Sequence, residues 1–140
     1  MHNTLAASEY ALLEQQTHDP RPNYWVALLW NRLMGNKVYE ADTLAQGVDV
    51  FVHNLKGSSD GLAALIVNTR ESNFSFEIPS DAEQYLLTAD ELITKTVKLN
   101  GQVLELNPDD TLPEIKSKEL DAGEVSLPGQ SIMFLSFKGN

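Results

Sequence analysis

The chain has 140 residues, with 10 Lys plus Arg against 20 Asp plus Glu and a formal net charge of −10; that charge repels phosphate backbones and anionic membrane surfaces and argues against nucleic acid as a partner. The length suits one ordinary domain, and no apolar run reaches the roughly 20 residues that cross a bilayer as a helix. With no cysteine, disulfides, thiolate metal sites and thiol nucleophiles are excluded.

The N-terminal segment Met1–Tyr10 lacks the basic start and long apolar core of a signal peptide, so an exported parent would carry its signal upstream. Within it, Thr4-Leu5-Ala6-Ala7 reads as a short buried strand. A polar stretch then leads through Asp19-Pro20-Arg21-Pro22 into the segment 23–34, the chain's best helix. Pro22 suits a first helical turn, where its missing N–H would be unpaired anyway, and Gly35 suits a left-handed stop. Apolar residues lie on nearly every side of this helix: Tyr24 and Leu28, Trp25 and Leu29, and Val26, Trp30 and Leu33 form three stripes. Such a helix is expected between two layers, and a lone pair of sheets supplies one.

The pattern changes between Gly35 and Asp42, and short strands punctuated by turns follow. Val48 to His53 alternates at period two up to the turn Lys56–Gly61, Gly61–Asn68 reads as a central strand, and Phe74, Phe76 and Ile78 alternate with polar residues. Tyr85-Leu86-Leu87 and Thr96–Leu99 come next. Asn100-Gly101 is a strong hairpin turn because both positions tolerate positive φ, and Val103–Leu106 would pair back across it. Val125–Gly129 and Ser131–Phe137 close a series of about eight strands, at the spacing of a β-sandwich.

The segments His2–Tyr10, Pro20–Trp25 and Leu28–Gly35 resemble the heparanases and β-glucuronidases of glycoside hydrolase family 79, and the likeness continues in order through Val50–His53, Leu65–Asn68, Tyr85–Thr88, Leu99–Gly101, Leu112-Pro113 and Ser131–Phe134. The resemblance implies a mainly β chain: the last strand–helix unit of a (β/α)₈ TIM barrel at residues 1–36, then a C-terminal β-sandwich at 37–140. It implies a retaining hydrolase of glucuronides whose two catalytic glutamates lie upstream of the matching region. The chain itself would therefore supply no catalytic residue, bind no cofactor or metal, and be inactive alone. By the same resemblance, Tyr10 matches a tyrosine that hydrogen-bonds the glucuronate carboxylate, chemistry a phenolic O–H performs well, and the parent would be secreted. The family's sandwich also takes a strand from before the barrel, so this chain is expected to expose a sheet edge or its apolar helix and to self-associate. The rival reading is a non-catalytic β-sandwich that binds carbohydrate or supports a partner.

Other candidates read as structural. Retention requires two carboxyl groups roughly 5 to 5.5 Å apart, and no convincing pair stands with Glu9, which reads as solvated charge; Asp90-Glu91 and Asp109-Asp110 read as openers of turns or of a short helix. His2, His18 and His53 are too scattered for a metal site. Ser8 with His18 lacks the glycine-flanked turn of a hydrolase nucleophile. Trp25 and Trp30 read as core, and Asn73-Phe74-Ser75 is a glycosylation pattern frequent by chance.

Overall fold

A computed structural model describes residues 11–91 and 93–139; the expected strand at Thr4–Ala7 and residues His2, Ser8, Glu9 and Tyr10 lie outside the described residues. The chain is mainly β. One helix, α1 (Pro22–Leu33), precedes ten strands: β1 (Met34–Tyr39), β2 (Val48–Leu55), β3 (Leu62–Asn68), β4 (Phe74–Ile78), β5 (Ala82–Thr88), β6 (Lys98–Leu99), β7 (Gln102–Val103), β8 (Lys118–Leu120), β9 (Gly123–Leu127) and β10 (Ser131–Phe137). Eight of them form an antiparallel sheet in the order β1-β2-β3-β10-β5-β6-β7, with β8 also paired to β5, and β4 pairs with β9 in a separate ribbon. Asn100 and Gly101 sit at φ 48° and 86° between β6 and β7, the turn their sequence demands.

Alternation along the central strands gives the sheet two apolar faces. On one, Ala63, Leu65, Leu87, Leu99 and Phe134 pack against Trp25, Leu29 and Leu33 of α1. On the other, Ala64, Ile66, Met133 and Leu135 meet Ile78, Val125 and Leu127 of the ribbon. The expected sandwich is thus unequal: a broad sheet has α1 on one side and two strands on the other.

The buried residues of α1 are spaced four apart, so they form one stripe, while Asn23, Ala27, Trp30, Asn31 and Arg32 are exposed. Among the described residues that outer side is only partly covered, by His53 against the Trp30 ring and by Lys56 at Asn31. Lys56 of the β2–β3 turn binds the helix end, donating from Nζ to the Asn31 carbonyl at 2.7 Å, where the helix dipole favours a cation. The expected left-handed stop at Gly35 is not found. Met34 is extended, and the chain passes directly into β1. Glycine is needed at 35 for space, because a Cβ there would lie 2.3 Å from Oδ1 of Asn54; that same oxygen accepts the Lys37 N–H at 2.8 Å, where the β1–β2 register shifts.

Two buried or half-buried asparagines tie the layers. Asn68 donates from Nδ2 to the carbonyls of Ser72, Leu127 and Pro128 and accepts the Arg70 N–H, joining the end of β3 to the β9–β10 turn. Asn100 accepts from Gln84 Nε2 and the Leu86 N–H, and donates to the carbonyls of Gln84 and Lys116.

Candidate functional site

The segment before α1 folds back on itself. Leu13 bridges Pro20, the Glu14 N–H donates to Asp19 O at 2.9 Å, the His18 N–H donates to Glu14 O at 3.0 Å, and the Arg21 N–H donates to Leu12 O at 2.9 Å. His18 takes a left-handed φ of 61° in this loop, a conformation histidine tolerates better than most residues. Across from the loop stand residues 95–106, which carry the β6–β7 hairpin. Between them lies a cleft of about 750 Å³, within the roughly 300 to 1,000 Å³ of small-molecule sites.

Glu14 connects the two walls. Its Oε1 lies 2.9 Å from Lys95 Nζ, and Arg21 approaches the same carboxylate through Nε and Nη2, both at 3.3 Å. The hydrogen bond from Lys95 is the main reason the Glu14 carboxyl is held below its ordinary value; partial desolvation opposes this and Arg21 adds to it. Trp25 closes the base, Gln15, Gln16 and Thr17 line one wall, and Thr96 and the half-exposed Val103 line the other. Asp19 and Glu105 complete the rim as exposed carboxylates.

A carboxyl depressed by folding stabilises the fold at pH above its unfolded value, and that contribution disappears as pH falls through the lowered folded value. The Glu14 link should therefore be intact at neutral pH, weaken as pH drops below the ordinary 4.5 of a glutamate and open as it falls through the lowered folded value. In Glu14→Gln, amide exchange of residues 13–20 should be faster than wild type at pH 7, and the two proteins should converge once pH has fallen through the lowered folded value of Glu14. Equal exchange at neutral pH would show that the link does not hold the loop.

Other candidates are accounted for structurally. His53 is buried, with Nδ1 2.7 Å from the Gly35 carbonyl; because a carbonyl only accepts, Nδ1 carries the proton. Its ring meets Trp30 edge-on at 5.0 Å. Asp109 accepts from the Thr111 hydroxyl at 2.6 Å, which with the Thr111 N–H holds its carboxyl below the usual range, and Asp90 pairs with Lys98 at 3.0 Å. Among the described residues no three His, Cys, Asp or Glu side chains are grouped to hold a metal, and no helix is long and apolar enough to cross a membrane. The cleft itself escaped the sequence reading, because Glu14 and Lys95 are far apart in the chain and neither lies in a motif.

No protein-family model matches the chain. It is 34% identical over 146 residues to the baicalin-β-D-glucuronidase of Scutellaria baicalensis, covering 97% of this chain and 28% of that protein. It is 31% identical over 135 residues to the heparanase of Bos taurus, covering 84% of this chain and 24% of that one. The chain thus spans about a quarter of the length of these curated relatives. Among solved structures it superposes on a glycoside hydrolase family 30 subfamily 8 xylanase from Clostridium acetobutylicum with a TM-score of 0.59 and 13% identity, over 96% of this chain and 32% of that one, a likeness of fold alone.

Proposed function

The chain belongs to the heparanase and β-glucuronidase family, glycoside hydrolase family 79, as a C-terminal region of it, and from that premise we propose that it is the sandwich-bearing part of a retaining hydrolase of glucuronides, inactive alone. The observation that carries this is the only partly covered outer side of α1. Its inner stripe is seated on the sheet, yet Ala27 and Trp30 face outward. Beside Trp30, around His53, Val38 and Phe51 are 71% and 47% exposed. Val38 opposes His53 across the β1–β2 pair and Phe51 lies two residues from it on the same face. Large apolar side chains gathered in one place mark a surface made to be covered. In this reading the rest of a (β/α)₈ barrel covers it, residues 1–36 end that barrel and residues 37–140 form the sandwich. Tyr10, just past the last barrel strand, contributes its phenolic O–H to the glucuronate carboxylate.

The rival reading, a stand-alone sugar-binding sandwich, calls for a row of exposed aromatic rings on one sheet face. The exposed Tyr39 and Phe51 do not form one. Tyr39 opposes Val52, on the ribbon side, whereas Phe51 opposes Leu65, on the helix side.

Incubated alone with p-nitrophenyl β-D-glucuronide, the chain should release no p-nitrophenol, and light scattering should report a mass above 15.5 kDa because the uncovered face self-associates. Substituted for the matching region of the Scutellaria enzyme, it should give a cooperatively folded, active chimera in which Tyr10→Phe lowers kcat/KM roughly 10- to 100-fold, as loss of a charge-assisted hydrogen bond of about 1.5 to 3 kcal/mol requires. Turnover by the chain alone, or an unaffected Tyr10→Phe chimera, would refute the assignment.

A further inference from the structure

The cleft between loop 13–21 and residues 95–106 is not explained by packing, and its chemistry is selective. Of its charged groups, Arg21 and Lys95 both contact Glu14. Asp19 and Glu105 make no ion pair among the described residues. Glu14, Asp19 and Glu105 outnumber Arg21 and Lys95 in the lining, so the balance of charge facing a ligand is negative, and in a concave site it repels carboxylates and sulfates. Carboxylate oxygens are, however, strong acceptors for hydroxyl groups. The side-chain amides of Gln15 and Gln16 and the hydroxyls of Thr17 and Thr96 each donate and accept, and Val103 offers an apolar surface to the face of a ring.

We infer that this cleft is a subsite for an uncharged, hydroxyl-bearing ring: the neutral sugar or phenolic group attached to the glucuronate in the substrate. Its relevance to catalysis rests on the reading above, in which residues 11–21 follow the last barrel strand; loops that follow barrel strands lie on the active-site face. The link through Glu14 then has a clear purpose. It offsets part of the charge of the two cations that would otherwise attract polyanions, the rest being outweighed by Asp19 and Glu105, and it fixes the spacing of the two walls. The parent would favour small glucuronides with neutral partners over long sulfated polymers.

The test is a titration of the uniformly ¹⁵N-labelled chain with three probes: cellobiose, catechin and sucrose octasulfate. Cellobiose, catechin or both should produce saturable shifts of the Gln16, Thr17, Thr96 and Glu105 amides; a response to cellobiose alone identifies a sugar subsite, and to catechin alone a phenol subsite. Sucrose octasulfate should leave those amides unmoved. Val103→Asp, at an exposed position, should weaken binding at least 10-fold with the rest of the spectrum preserved, and the Asp19→Asn, Glu105→Gln pair should weaken it while admitting the octasulfate. Absence of saturable shifts with both neutral probes, or octasulfate binding to the wild-type cleft, would overturn the inference. So would undiminished binding by both variants. Such a failure, with Tyr10→Phe still impairing the chimera, would sink the subsite alone; an unaffected Tyr10→Phe chimera with the titration positive would sink the hydrolase assignment and leave a carbohydrate- or phenol-binding cleft.

Discussion

Asn68→Ala should destabilise the chain by about 3 kcal/mol in chemical denaturation, a large share of the roughly 5 to 15 kcal/mol that holds a domain folded. Asn68 is 1% exposed, so water cannot replace what its side chain supplies. Its Nδ2 carries two hydrogens and faces three carbonyls, at 3.1, 3.3 and 3.1 Å, so one hydrogen is shared. Truncation would take a donor from the buried Leu127 carbonyl and leave the Arg70 N–H without the oxygen it reaches at 3.0 Å. Buried groups left unsatisfied cost about 1 to 3 kcal/mol each. Asn68→Asp should be worse at neutral pH, since it sets a carboxylate against three carbonyl oxygens. Burial among acceptors would raise that carboxyl's folded value, so the added penalty should shrink as pH falls towards the unfolded value and grow as pH rises. An Asn68→Ala loss below 1 kcal/mol, or an Asn68→Asp penalty that grows on acidification, would show that this junction is not the tie described.

Trp25→Ala should cost about 4 kcal/mol, as expected for emptying a buried indole site, whereas Trp30→Ala should cost about 1 kcal/mol. The two residues share a helix and a side chain but not an environment. Trp25 is 2% exposed, meets Tyr24 edge-on at 5.3 Å and lies against the sheet core, while Trp30 is 37% exposed and touches His53. A cavity beneath α1 would also loosen the base of the cleft, so hydrogen exchange in the 13–20 loop should rise with Trp25→Ala and not with Trp30→Ala. Equal destabilisation by the two substitutions would mean that the helix does not use one face as its inner side.

The sequence disclosed the elements whose instructions are local. The run Ser131–Phe137 has no competing helix period and is a strand over that span; Asn100-Gly101 has both left-handed residues a tight hairpin needs; and Pro22 opens α1 where a helix tolerates it. The elements it concealed depend on their neighbours. β1 reads Met-Gly-Asn-Lys-Val-Tyr, without alternation, and is extended because β2 offers it an edge and Asn54 binds Lys37. β8, Lys-Glu-Leu, is mostly charged, as edge strands often are, and is ordered by pairing with Ala82–Gln84. The three stripes of α1 read as two-sided burial, yet here one side is covered, since hydrophobicity records what a surface is made for and not which neighbour is present. The assignment of Tyr10 comes from resemblance alone, and the residue lies outside the described ones. The cleft was not legible at all, because the pairing of Lys95 with Glu14 depends on where the hairpin and the pre-helix loop meet.

The position of β10 sets when the fold can form. It is the last strand of the chain, yet it lies between β3 and β5 in the middle of the sheet, with Phe134 opposite Leu65 on one side and Tyr85 on the other. Until it is in place, β1-β2-β3 and the strands around β5 are two separate half-sheets, each with an open, apolar inner edge. During translation those halves must wait for residues 131–137 to leave the ribosome before they can join, so folding is dominated by non-local pairing, which is slow. Loss of Ser131–Phe137 alone would leave both halves without the strand they share and produce an aggregating polypeptide in place of a folded domain.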